Sequence, residues 1–125
     1  MTIARAIEMC DRMRPNKYED EDKIAWLSAL DAKVKAELMD RHEGFEGVAF
    51  DGYGEGTPAD APLLIQGPYE DIYLKWLFCQ IDFHNAEIAR YNNSVAMYNF
   101  GWQDLANWMN RTYKPKQSAA IGPLL

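Results

Sequence analysis

The sequence predicts a small all-α domain: a bundle of about four helices with one long glycine-rich loop between the second and third. Three observations predict it. Apolar residues recur at three- and four-residue spacing in four separate stretches. Residues that start and stop helices bracket those stretches. Six of the eight glycines and three of the six prolines fall between 44 and 68. The chain has 125 residues, which fits one domain, and 1–125 is read as a single helical unit. Apolar residues make up 48%, too many for a disordered chain.

Thr2 is placed to cap a first helix, whose stripe is Ile3, Ala6, Ile7 and Cys10, extended by Met13. Arg14 precedes Pro15, and a residue before proline is pushed out of the helical region, so the helix stops there. The acids Glu19-Asp20-Glu21-Asp22 suit the positive end of a second helix dipole better than they suit a cation site. That helix carries Ile24, Leu27, Leu30, Val34 and Leu38 on one face, with Trp26 and Met39 beside it. Asp31–Lys35 and Glu37–Arg41 read as exposed acid-before-base pairs four apart. Gly44 ends the helix near His42 and Glu43.

Residues 44–68 contain four acids and no Lys or Arg. Val48, Phe50 and Tyr53 alternate, and Leu63-Leu64-Ile65 is a short apolar run, so a loose hairpin is one option for this loop. Gly67-Pro68 opens the third helix. Ile72, Trp76, Cys79, Phe83 and Ala86 form one stripe, widened by Tyr73, Leu77, Ile81, His84 and Ile88, which makes this helix central. A break or bend is expected around Asn92-Asn93-Ser94. The fourth helical run holds Val95, Tyr98, Trp102, Leu105, Trp108, Met109 and Thr112, and Pro115 closes it. The tail, about 115–125, reads as loose.

The net charge is −6. The ends are mildly basic, +2 over 1–18 and +2 over 93–125, and the middle is acidic. Such a chain lacks the cations to grip duplex DNA tightly. Cys10 and Cys79 read as reduced core thiols. No apolar run approaches a membrane span, and the charged N-terminus does not read as a signal peptide, so a soluble cytosolic product is expected.

Tests for chemistry fail one by one. Asp51-Gly-Tyr-Gly-Glu55-Gly56 resembles a calcium loop, but Tyr53 and Pro62 replace oxygen ligands. The glycines there do not cradle phosphate, because the segment is acidic and lacks a following Lys-Ser/Thr. His42 fits a helix end, and His84 reads as a hydrogen-bonded core residue. Cys79 and His84 are five apart, which is no helical neighbour spacing. No catalytic, metal or cofactor site is assigned. The aromatics of the second half are too poorly interleaved with cations to stack single-stranded bases. They exceed what one small core buries, which points to subunit contact. The candidate contact residues are Phe50, Tyr53, Leu64 and Ile65 on the loop, with Trp102, Trp108 and Tyr113 near the C-terminus.

Several stretches resemble small prophage proteins of Firmicutes encoded among head and tail morphogenesis genes. They include Asp11-Arg12-Met13-Arg14-Pro15-Asn16, Asp22 to Asp31, Pro68 to Leu74, Arg90 to Asn99 and Trp108 to Thr112. That group looks like the head–tail connector (adaptor) family of tailed phages. The resemblance implies a helical subunit that forms a ring beneath the portal. Its partners would be copies of itself and portal, stopper or tail proteins, with DNA passing through without specific binding. Its place would be the host bacterial cytoplasm before assembly and the virion neck after it. The alternative is a small regulatory module that docks on a host or phage protein. The loop is expected to act as an acidic, partly apolar arm, dispensable for the helices.

Overall fold

A computed structural model describes residues 1–116. It contains α1 (Ile3–Met13), α2 (Asp20–Glu37), a 3₁₀ turn (Met39–Arg41), α3 (Ile72–His84) and α4 (Ile88–Thr112). The fold is all-α, with the long loop between α2 and α3. No strand forms among the described residues; the only pairings of strand type are the isolated bridges Thr2–Pro62 and His42–Pro115. The loose hairpin is therefore not formed. The loop's backbone instead makes tight turns and serves the start of α1. The Ile3 and Ala4 amides donate to the Ala61 and Ala59 carbonyls at 3.1 and 2.9 Å. These are amides that a helix leaves without internal partners.

The Thr2 hydroxyl oxygen caps α1 by accepting from the Arg5 amide at 3.1 Å. Ile3, Ala6, Ile7 and Cys10 are buried, as their spacing predicts. Met13, expected on the same stripe, is exposed; Arg14 turns inward instead and pairs with Asp82. In α2 the acids occupy the first turn, and Leu27, Leu30 and Val34 are buried, with Leu38 just beyond. Ile24 is only half-buried. Asp31 is not on an exposed face: it is fully buried, and Lys35 pairs with Asp40 rather than with it.

Gly67-Pro68 opens overlapping turns, not the helix, and α3 begins four residues later at Ile72. The helix is central: α1, α2 and α4 all pack on it. Ile72, Tyr73, Leu74, Leu77, Cys79 and Ile81 are buried. Its last turn leaves the core, so Phe83 and His84 are exposed, contrary to the stripe expected for both. His84 packs on Trp26, with ring centroids 5.2 Å apart.

The break between α3 and α4 lies at Asn85–Glu87, not at Asn92–Ser94. The Glu87 amide donates to the Asp82 carbonyl at 3.1 Å and the Ala86 amide to the Phe83 carbonyl at 3.0 Å. Ala86 has φ 58°. This is the Schellman ending, in which the residue after the C-cap turns left-handed. The helix α4 then runs unbroken for 25 residues, about 37 Å at the usual rise. Its backbone comes close to that of α3 alone among the helices. A Cβ at Gly101 would lie 3.1 Å from the Ile72 and Lys75 side chains, so the missing side chain allows that close approach.

After α4 the chain returns along the end of the 3₁₀ turn. The Glu43 amide donates to the Lys114 carbonyl at 2.8 Å, and the Lys116 amide donates to the Arg41 carbonyl at 2.9 Å. Pro115 and Lys116 are thus held rather than loose. The rest of the expected tail, 117–125, lies outside the described residues.

Candidate functional site

The loop is fastened by one buried carboxylate. The Tyr53 and Tyr73 hydroxyls donate to Asp31, the second at 2.6 Å, and the Leu64 amide donates to it at 3.0 Å. The Tyr73 hydroxyl oxygen also accepts from the Ile65 amide at 2.7 Å. Gly52 has φ 97°, and the turn it makes lets the Tyr53 amide donate to the Ser28 hydroxyl oxygen at 2.9 Å. Burial raises the Asp31 carboxyl above its ordinary range, and the three donors oppose that rise. Burial, joined by the neighbouring Asp31, pushes both tyrosine hydroxyls up. The loop is therefore tied into the core, which corrects the reading of a detached arm.

Three further polar ties join elements. Asp82 is fully buried and accepts from the Arg14 guanidinium and the Ser94 hydroxyl, linking α1, α3 and α4. Its Oδ1 has no hydrogen-bond partner. Lys23 is buried, donates to the Tyr18 carbonyl at 2.9 Å and pairs with Asp11 at 2.7 Å. His42 is buried too, with Nδ1 2.6 Å from the Leu38 carbonyl oxygen and Nε2 2.8 Å from Asn110 Oδ1. These ties position helices.

Cys10 and Cys79 are buried and unbridged; burial pushes their thiols up to about 12 and about 11. Cys79 is buried while His84 is exposed with Nδ1 on the Gln80 carbonyl, so the pair does not converge. Among the described residues no group of three or more His, Cys, Asp or Glu is placed to hold a metal ion. No helix among them is long and apolar enough to cross a membrane.

The candidate contact residues divide by surroundings. Ile65 is buried and belongs to this chain's own core, so it is not a surface contact. Tyr53 and Leu64 are half-buried at the Asp31 node, and Phe50 packs edge-on against Tyr53 at 5.0 Å. Trp102 lies under the Lys33 ammonium at 4.3 Å. Trp108 packs on Tyr69 at 5.4 Å and Tyr113 on Phe45 at 4.5 Å. Most of these aromatics are thus engaged within the chain. The apolar surface left in water lies elsewhere. Phe83 and Ile88, at the α3–α4 corner, are 60% and 74% exposed; Met97 and Phe100, on α4, are 56% and 72% exposed. Helical spacing placed Phe83 and Ile88 on buried stripes; Phe83 instead sits in the last turn of α3, which leaves the core, and Ile88 opens α4 just after the break at Ala86.

Depressions lie on two faces of the chain. One of about 380 Å³ lies on the α3–α4 face, floored by Phe78 and Met97 and rimmed by Arg14, Lys75 and Arg90. Two others, of about 310 and 470 Å³, adjoin at Ile24 and Thr57, between α1, α2 and the loop. Comparison with protein-family models, curated proteins and solved structures finds no match.

Proposed function

We propose that the chain is a structural assembly protein of a phage or prophage neck, a head–tail connector subunit that forms a ring beneath the portal. The observation that carries this reading is the set Phe83, Ile88, Met97 and Phe100, large apolar groups left in water at the end of α3 and along α4. Large apolar side chains left in water gain by burial against a partner. The likeness to phage head-morphogenesis proteins supplies the kind of contact. Its partners are other copies and the portal, stopper or tail proteins, and its place is the virion neck. At net charge −6 such a ring lets DNA pass without gripping it. The chain does no chemistry in this role and takes no cofactor.

The test mixes the purified chain with the portal protein of the phage or prophage that carries it. Negative-stain images and light scattering are expected to show rings seated on the portal. Absence of both rings and portal binding overturns the reading. The second reading, a regulatory docking module, draws on Glu19–Asp22, which are exposed and form no ion pair among the described residues. A stoichiometric host enzyme captured without any virion protein would favour it.

A further inference from the structure

We infer that the chain binds a second copy of itself head to tail, the basic α3–α4 face of one copy seating in the acidic groove between α1, α2 and the loop of the next. The inference rests on the reading of the chain as a self-assembling subunit and names the two surfaces that meet.

The acidic groove is the two adjoining depressions joined at Ile24 and Thr57. Ile7 and the half-buried Ile24 give it an apolar floor. Its rim carries Asp20, Glu21 and Glu55, all exposed and without an ion-pair partner among the described residues. Glu8 and Asp11 also line it, but they pair with Arg5 and Lys23 of the same chain. Three uncompensated carboxylates around an apolar floor fit a ligand that is both basic and apolar.

The α3–α4 face has that chemistry. Phe78 and Met97 form its floor, and Lys75, Arg90 and Arg14 form its rim. Arg14 is committed to the buried Asp82 and stacks over Phe78 at 4.4 Å, so it stays in place. Lys75 and Arg90 have only local partners, Asp71 at 3.2 Å and Glu87 at 3.3 Å, on their own helix or at its start. Both acids are exposed and so is Arg90, whose pair is worth little against water, while the Lys75 side chain is only 26% exposed. Arg90 can therefore exchange its partner for a carboxylate of another molecule, and the Lys75 ammonium adds positive charge to the same face. Met97 is more than half exposed.

The two surfaces share no residue, so one copy can use both at once. A patch that meets a different patch makes a heterologous contact, which propagates and closes into a ring when the rotation allows. Opposite charge on the two surfaces favours that pairing and opposes like surfaces meeting.

The test is a charge swap in the full chain. One variant carries Glu21→Lys and Glu55→Lys; the other carries Lys75→Glu and Arg90→Glu. Circular dichroism and thermal melting confirm that each folds. Sedimentation velocity at low and high salt follows association. The wild type is expected to associate, less so at high salt. Each variant alone is expected to need a concentration at least about tenfold higher, because attraction has become repulsion. The two variants mixed regain association, since the reversed groove of one meets the reversed face of the other. Variants that associate like the wild type overturn the inference and leave a ring by another contact. Portal-bound rings formed equally by both variants also overturn it while the connector reading survives. A wild type that neither self-associates nor binds portal overturns both.

Discussion

Removing the Asp31 side chain leaves three donors facing a nearly dry interior: the Tyr53 and Tyr73 hydroxyls and the Leu64 amide. An unpartnered buried donor costs more than an average hydrogen bond contributes. Asp31→Ala is therefore expected to lower stability by about 3–4 kcal/mol, read from urea unfolding. Asp31→Asn keeps the shape and one acceptor oxygen, so its loss is smaller, about 1–2 kcal/mol. The charge itself has a sign that pH can show. Burial raises the Asp31 carboxyl above 3.8, so the folded chain holds this proton more tightly than the unfolded chain. The stability this group contributes is fully present below the unfolded value and is lost as pH rises through the folded one. As pH rises above 3.8, wild-type unfolding free energy should therefore fall relative to Asp31→Asn, whose position 31 does not titrate. A difference that rises with pH would mean that the three donors outweigh burial. Asp31 was readable as helical but not as buried. Its spacing to Lys35 has the form of a surface pair, and the groups that claim it come from the loop and α3.

At the level of elements, the decisive junction is the turn from α3 to α4. The Schellman ending needs a left-handed residue at 86, and the chain places alanine where glycine is usual. A side chain in that region costs about 1 kcal/mol. Ala86→Gly is thus expected to stabilise the fold by about 0.5–1 kcal/mol, visible as a higher melting temperature with unchanged helicity. An unchanged or lower melting temperature would show that Ala86 is not strained. The same alanine explains why the break was misplaced in the sequence. No glycine or proline marks it, whereas Asn92-Asn93-Ser94 has the composition of a cap. Ser94 spends its hydroxyl on Asp82 instead, inside a continuous helix. Elsewhere the local signals were sufficient: Thr2 starts α1, Pro15 follows its end, and Leu27, Leu30 and Val34 face inward in α2. The exposed set Phe83, Ile88, Met97 and Phe100 was not legible, because helical spacing cannot say which stripe finds a partner.

For the whole molecule, the question is whether the loop is an appendage on a helical bundle or part of it. Composition argues for an appendage, since 44–68 is rich in glycine and acid. The contacts argue for membership. Leu63 and Ile65 are core residues, and Tyr53 closes on Asp31. The Ala59 and Ala61 carbonyls satisfy the first amides of α1. Deleting Phe50–Ala59 removes the Tyr53 tie and the Ala59 acceptor, and it forces the remaining loop to span from α2 to Ala61 along a different path. Losses of roughly 1–2 kcal/mol for each of these ties accumulate to about 2–4 kcal/mol. Domains of this size hold only about 5–15 kcal/mol in total. The deletion is therefore expected to reduce helicity and broaden or abolish cooperative unfolding, measured by far-ultraviolet circular dichroism with urea titration. Tyr53→Phe, which removes only the hydroxyl, should keep full helicity and shift the urea midpoint downward by a smaller amount. A deletion variant with wild-type helicity and midpoint would return the loop to the status of an arm. In that case its acids, including Glu55 on the groove rim, would be held by nothing but the crest of the loop, and the acidic groove would not exist as a fixed surface.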